Sequence, residues 1–124
     1  LHVQLLEAMG FRYLDSFNKL CATARKFGVK TGLEHMGHQM TEIGRLTDVG
    51  LDFMKIDVFF VKDVHKDSVS QNLLKTLATL AHSIGIDAIA EGVASEDELL
   101  MVDKLGLDGA SGPIVTQQFE EKKA

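Results

Sequence analysis

The chain has 124 residues, 45% apolar and 25% charged, a balance that fits one soluble globular unit with its own core. It contains no run of about 20 apolar residues, which excludes a membrane-spanning helix. A net charge of −5 argues against nucleic-acid binding through a generic basic surface, yet leaves room for a small anionic ligand in a local pocket. The chain opens at Leu1 with no initiator Met, so it is expected to be part of a longer protein.

Leu1 to Leu6 reads as a first strand. From Ser16 to Phe27 apolar residues recur at Phe17, Leu20, Cys21, Ala24 and Phe27, which predicts a helix with Asp15 as its N-cap. Cys21 is the only cysteine and lies on that apolar face. It reads as a buried structural thiol, in keeping with a reducing compartment. Gly28-Val29-Lys30-Thr31 then opens a second strand. Met40, Ile43, Leu46 and Val49 predict a second amphipathic α-helix over Gln39 to Val49, and Gly50-Leu51-Asp52-Phe53 opens a third strand. The longest helix, about Ser68 to Ile84, follows Asp67 as N-cap and carries Val69, Leu73, Leu77, Leu80, Ala81 and Ile84. Gly85-Ile86-Asp87-Ala88 opens a fourth strand. Ser95 and Glu98, spaced as a capping box, start a last helix that runs to Leu105, and Gly106-Leu107-Asp108-Gly109 opens a fifth strand. In all four junctions a glycine stands just past a helix end, where a left-handed residue is favoured. Residues 119–124 are expected to form a frayed, lysine-rich terminus.

Strands alternating with helices imply an α/β fold of parallel (β/α) units. Two closures are open, a doubly wound sheet or the arc of a barrel. A (β/α)₈ barrel takes roughly 250 residues, so five strands amount to about half of one. No linker or low-complexity stretch divides the chain, and 1–124 is expected to be a single unit.

In parallel β/α folds chemistry gathers where strands end. Glu34 and His35 close the second strand, and Lys55 and Asp57 the third. Glu91 and Gly92 follow the fourth, Ser111 and Gly112 the fifth. Alternation puts Lys55 and Asp57 on one face of their strand, with Met54 and Ile56 on the other. One acid at a strand end is ordinarily a helix cap or a solvated loop residue. Three acids and a lysine at the same relative place in successive units point to a shared site. Lys55 has two readings, a phosphate contact or an ion pair with Asp57 or Glu91. His35 and His38 lie near Glu34, but the sequence places no third soft ligand beside them, so no metal site is expected. His82 reads as a packed or capping residue, His2 and His65 as surface residues, and the five methionines as core filler.

Taken together, Glu34-His35-Met36-Gly37, Lys55-Ile56-Asp57, Ala90-Glu91-Gly92-Val93-Ala94 and Ser111-Gly112 resemble, in order and interval, the motifs of bacterial EAL domains. Ala81-His82-Ser83-Ile84-Gly85 fits the same pattern, and the resemblance runs from Leu1 to Pro113. It implies the C-terminal half of a TIM-type EAL barrel, with the Glu-Ala-Leu segment lying upstream. Members hydrolyse cyclic di-GMP with two hard divalent cations, Mg²⁺ or Mn²⁺. Departures fall on the ligand set. Gln4 stands at a metal-binding Glu, Glu34 and His35 at an Asp pair, Ala94 at a Glu and Ser111 at a Gln. Gly32-Leu33-Glu34-His35-x-Gly37 and Asp108-Gly109-Ala110-Ser111-Gly112-Pro113 are further similar to LapD-type receptors, which bind the dinucleotide without cleaving it.

The resemblance therefore implies a catalytically inactive cyclic di-GMP receptor domain with a biofilm or adhesion output. Its ligand-binding residues would be Glu34, Lys55, Asp57, Glu91, Ser111 and Gly112, with no catalytic residue and no cofactor. Mg²⁺ or Mn²⁺ would be needed only for residual phosphodiesterase activity. Its partners would be the neighbouring domains of a larger signalling protein. Its place would be cytoplasmic, as part of an inner-membrane protein. A vestigial interaction module and a weak metal-dependent phosphodiesterase are the alternatives. Half a barrel leaves strands unpaired at both edges, which predicts that this fragment alone self-associates or is only marginally stable.

Overall fold

Five parallel strands hydrogen-bond in the order of the chain, β1 (His2–Leu6), β2 (Lys30–Met36), β3 (Phe53–Ile56), β4 (Asp87–Ala90) and β5 (Gly109–Ala110). The computed structural model describes residues 2–115. Between the strands run α1 (Glu7–Arg12), α2 (Leu14–Lys26), α3 (Val58–Val61), α4 (Ser68–Ser83) and α5 (Glu96–Lys104), with 3₁₀ segments at Met40–Leu46 and Val64–Lys66. The unbroken order settles the closure. A doubly wound sheet reverses direction at a switch point, whereas a sheet that always steps to the same side is the arc of a barrel.

Burial shows which face the helices cover. Leu33, Met54, Ile56, Ala88 and Ala90 are sealed against Leu74, Leu77 and Ala81 of α4 and Phe17 and Cys21 of α2. On the opposite, concave face Gln4, Glu34, Lys55 and Ile89 are only half-buried. The alternation expected for β3 is therefore observed, with Lys55 turned toward the mouth and its neighbours into the core. Cys21 is buried as expected, and that burial holds its thiol above the ordinary value.

Asp67 and Ser95 cap their helices, accepting from Val69 N–H at 3.0 Å and Glu98 N–H at 3.2 Å. Asp15 does not. The polypeptide already turns helical at Glu7, breaks at Tyr13 and restarts at Leu14, which leaves Asp15 inside the first turn of α2. Phe27 and Val69, assigned to apolar helix faces, are 78% and 64% exposed. Phe27 is the C-cap of α2 and Val69 lies in the first turn of α4, and both point past the packed stripe. The segment from Gln39 is 3₁₀ rather than α. Met40, Ile43, Leu46 and Val49 are spaced by three, which is the 3₁₀ repeat, and Ile43, Leu46 and Val49 are all buried. Gly44 weakens the helix, and Thr47 closes it by donating from its hydroxyl to Gly44 C=O at 2.7 Å.

The Gly-Leu-Asp repeats have a structural purpose at the N-terminal end of the sheet. Asp52 Oδ2 accepts from Thr31 N–H of β2 at 2.8 Å, and Asp108 Oδ2 accepts from Ala88 N–H of β4 at 2.8 Å. Each aspartate stands just before a strand and ties down the strand preceding it. His82, at the C-terminal end of α4, pairs with Asp108 at 2.6 Å. Among the described residues no helix is long and apolar enough to cross a membrane. The expected frayed segment 119–124 lies outside the described residues.

Candidate functional site at the strand ends

The end of β2 is irregular. Its register against β3 shifts between Leu33 and Met36, and His35 adopts φ 56°, a left-handed conformation that non-glycine residues rarely hold. This bulge turns the Glu34 and His35 side chains toward the end of β4, where Glu91 stands. Ligand atoms of Glu34, His35 and Glu91 all lie within 4.8 Å of one another. Glu91 Oε1 accepts from His35 N–H at 3.1 Å, which holds the bulge in place. The third donor that the sequence did not place beside His35 is thus Glu91, an oxygen ligand reached across two strands.

Asp57 follows β3 and is fully engaged. Its Oδ1 accepts from Phe59 N–H at 3.2 Å and caps α3, and its Oδ2 shares a 2.7 Å hydrogen bond with His38 Nε2. His35 Nδ1 lies 3.9 Å from the first oxygen. Burial raises the Asp57 carboxyl, but the His38 hydrogen bond, the Phe59 N–H and the two imidazoles outweigh it, so it sits below its ordinary value. His38 is also packed beside Phe60 and Phe59, with ring centres 5.0 and 6.0 Å away. It therefore belongs to Asp57 and not to a pair with His35.

Lys55 does not form the ion pair that was one of its two readings. Among the described residues no carboxylate lies within 4.0 Å of its ammonium, which stands 5.9 Å from the Phe53 ring centre. The reason is competition. Asp57 is held by α3 and His38, and Glu91 by the backbone of His35, so neither bends to the lysine. Ser111 and Gly112 act through their backbones. Ser111 N–H donates to Ala90 C=O, and Val93 N–H donates to Ser111 C=O, both at 2.9 Å. Gly112 has φ 137°, and a Cβ there would stand 2.4 Å from Val93 N, so only glycine fits. These two residues fix the loop after β4 at the rim beside Glu91.

One residue at the site escaped the sequence reading. Glu7, just past β1, is buried, and its carboxylate accepts from Gly37 N–H at 3.0 Å and His38 N–H at 3.2 Å. An acid directly after the first strand was the available signal, since the same place in later units had already been singled out. Gln4 Oε1, on the concave face, is buried without a hydrogen-bond partner.

A parallel barrel arc that gathers acids and a lysine at its C-terminal mouth is the frame of a β/α-barrel ligand-binding or catalytic domain. The chain belongs to the EAL domain family, whose pattern matches residues 1–118. It is 31% identical over 87 residues to the cyclic di-GMP phosphodiesterase PdeR of Escherichia coli, covering 70% of this chain and 13% of that protein. It is 24% identical over 126 residues to the signaling protein YkoW of Bacillus subtilis, covering 98% of this chain and 16% of YkoW. Among solved structures, the Xanthomonas citri FimX EAL domain in complex with c-diGMP superposes with a TM-score of 0.83 at 25% identity. That match covers 90% of this chain and 44% of the FimX chain. The Pseudomonas aeruginosa FimX EAL domain bound to c-di-GMP gives 0.83 at 24% identity, covering 90% and 46%. The chain therefore spans less than half of the solved EAL domains it matches, and its five strands correspond to about half of the barrel.

Proposed function

We propose that this chain is half of a cyclic di-GMP receptor domain that holds the dinucleotide without cleaving it. The observation that carries the reading is the Lys55 ammonium on the concave face of the arc, which no carboxylate pairs among the described residues. A cation that none of the described carboxylates holds is available to a phosphate oxygen. The complexes of both FimX domains with the dinucleotide support this choice of ligand. Glu34, Asp57 and Glu91 then act as polar walls, and Ser111 and Gly112 shape the rim.

The residues present do not fit a pair of hard cations. Mg²⁺ demands near-octahedral oxygen ligands. Here Gln4 offers a neutral amide oxygen in place of a charged carboxylate, and His35 brings a nitrogen. Without a charge-balanced cluster nothing lowers the pKa of an attacking water, and no hydrolytic step is assigned. The reading needs no cofactor. The likeness to LapD-type receptors in Gly32–Gly37 and Asp108–Pro113 favours a receptor that reports on adhesion or biofilm state through neighbouring domains. On that reading it works on the cytoplasmic side of an inner-membrane protein.

Calorimetry on the intact EAL domain tests the proposal. Binding of cyclic di-GMP is expected at micromolar concentrations and should weaken at least about tenfold in Lys55→Ala, the loss of one charge-assisted contact. Absence of binding at tens of micromolar would sink the receptor reading. The proximity of Glu34, His35 and Glu91 favours a second reading, a weak phosphodiesterase. Linear product that forms with Mg²⁺ or Mn²⁺ and vanishes in Asp57→Ala would select it.

A further inference from the structure

Beyond the strand ends, a second set of ligand-type side chains converges where the 3₁₀ turn Val64–Lys66 meets α5. Glu98 lies in the first turn of α5 and is 4% exposed, with no lysine or arginine beside it among the described residues. Its Oε2 accepts from Asp63 N–H at 2.7 Å and its Oε1 from Ala94 N–H at 2.8 Å. Burial raises this carboxyl, but the N–H donors of Asp63, Ala94 and Ser95 and the nearby His65 more than offset that, so it sits below its ordinary value. Backbone N–H groups thus satisfy both oxygens of a buried carboxylate.

His65 was expected at the surface. It is half-buried, and its Nδ1 is buried with no hydrogen-bond partner among the described residues. Leaving a buried polar atom unsatisfied costs about 1–3 kcal/mol, so the orphan calls for a partner. Asp63 is held at φ 55°, a left-handed conformation uncommon for a side-chain-bearing residue, and its side chain is exposed. Ligand atoms of Asp63, His65 and Glu98 lie within 4.8 Å of one another, yet no hydrogen bond or ion pair within 4.0 Å joins the imidazole to either acid. The three side chains approach one another without a direct bond from the imidazole to either acid. Donors around an ion bound at about 2.0–2.2 Å stand roughly 3–3.5 Å apart, so closing around an ion needs a movement of about 1 Å.

We propose that Asp63, His65 and Glu98 form a binding site for a zinc-type divalent cation, separate from the dinucleotide site. Two carboxylates match the charge of a divalent ion, and the imidazole selects a first-row transition metal over Mg²⁺ or Ca²⁺. Three protein donors leave a position for water on the open side of Asp63. The bound ion joins the connection between α3 and α4 to the N-terminal turn of α5. It links two segments that the Glu98 carboxylate already joins through the Asp63 N–H.

Paramagnetic Co²⁺ reads the site directly, added alone to ¹⁵N-labelled protein in chelator-free buffer. Amide signals of Val64, Ala94 and Ser95 should broaden, and added Zn²⁺ should restore them by displacement. His65→Asn should raise the Co²⁺ midpoint at those amides by no less than the tenfold or so that even outer-shell changes cost. Asp63→Asn should do the same without disturbing the fold, since its N–H to Glu98 is kept and asparagine tolerates the left-handed conformation. Signals of residues 34–37 report the strand-end carboxylates independently. The proposal is overturned if Val64, Ala94 and Ser95 stay sharp up to on the order of 1 mM Co²⁺. It is equally overturned if they broaden alike in the wild type and both variants.

Discussion

Glu7 offers the sharpest test of how the mouth of this arc is held. Its carboxylate is 3% exposed and accepts from two successive backbone N–H groups, Gly37 and His38, in the turn after β2. Hydrogen bonds to a charged acceptor contribute about 1.5–3 kcal/mol each. Glu7→Ala removes both and leaves the Gly37 N–H without a partner, while returning part of the desolvation cost of a buried charge. The net loss expected is therefore about 3 kcal/mol rather than the sum of two full bonds. Glu7→Gln keeps one acceptor but turns an amide N–H toward a backbone N–H, for a loss of about 1.5–3 kcal/mol. Because the bonds are local, the loss should appear as opening of one turn before it appears as global unfolding. Amide hydrogen exchange resolves the two. Protection at Gly37 and His38 should fall roughly ten- to hundredfold in Glu7→Gln, with Phe59 following because His38 no longer steadies Asp57. Wild-type protection at Gly37 and His38 in that variant would refute the assignment, whatever happened to the melting temperature.

Three further outcomes are expected. Asp57 titrates below its ordinary value, so its contribution is complete at neutral pH, begins to fall below about pH 4 and is lost as pH drops through its folded value. The stability gap between wild type and Asp57→Asn in urea melts should therefore shrink on acidification, and a gap that widened would contradict the sign. Gly112→Ala puts a Cβ 2.4 Å from Val93 N at φ 137°, which should cost about 2–3 kcal/mol and lower the thermal midpoint by several degrees. A melting curve that overlays the wild type would show that the rim is not held there. His82→Ala cuts the pair with Asp108, whose side chains are 44% and 35% exposed, so a loss below about 1 kcal/mol is expected in the same melts.

What could be read from the sequence was whatever is local. Glycine after each helix, the caps Asp67 and Ser95, and the period-two alternation around Lys55 are decided within a few residues, and all appear in the structure. The acids Glu34 and Glu91 were legible for the same reason, since each closes its own strand. What was missed depends on distant pairings. Glu7 meets Gly37 across thirty residues of chain, and His35 meets Glu91 across fifty-six, so no window of sequence contains either bond. The lone ammonium of Lys55 was harder still, because it follows from two carboxylates each preferring another partner. The 3₁₀ segment was in principle readable. Met40, Ile43, Leu46 and Val49 recur at an interval of three, and fitting them to 3.6 hid that.

The aspartates of the two Gly-Leu-Asp tripeptides each bond to the strand before their own. Alignment of these strands is therefore handed on from one neighbour to the next. Errors in one junction need not accumulate in the next, so an arc of a few units is already correctly indexed before the ring is complete. Such a chain can gain, lose or rejoin units at its edges and still present the same mouth.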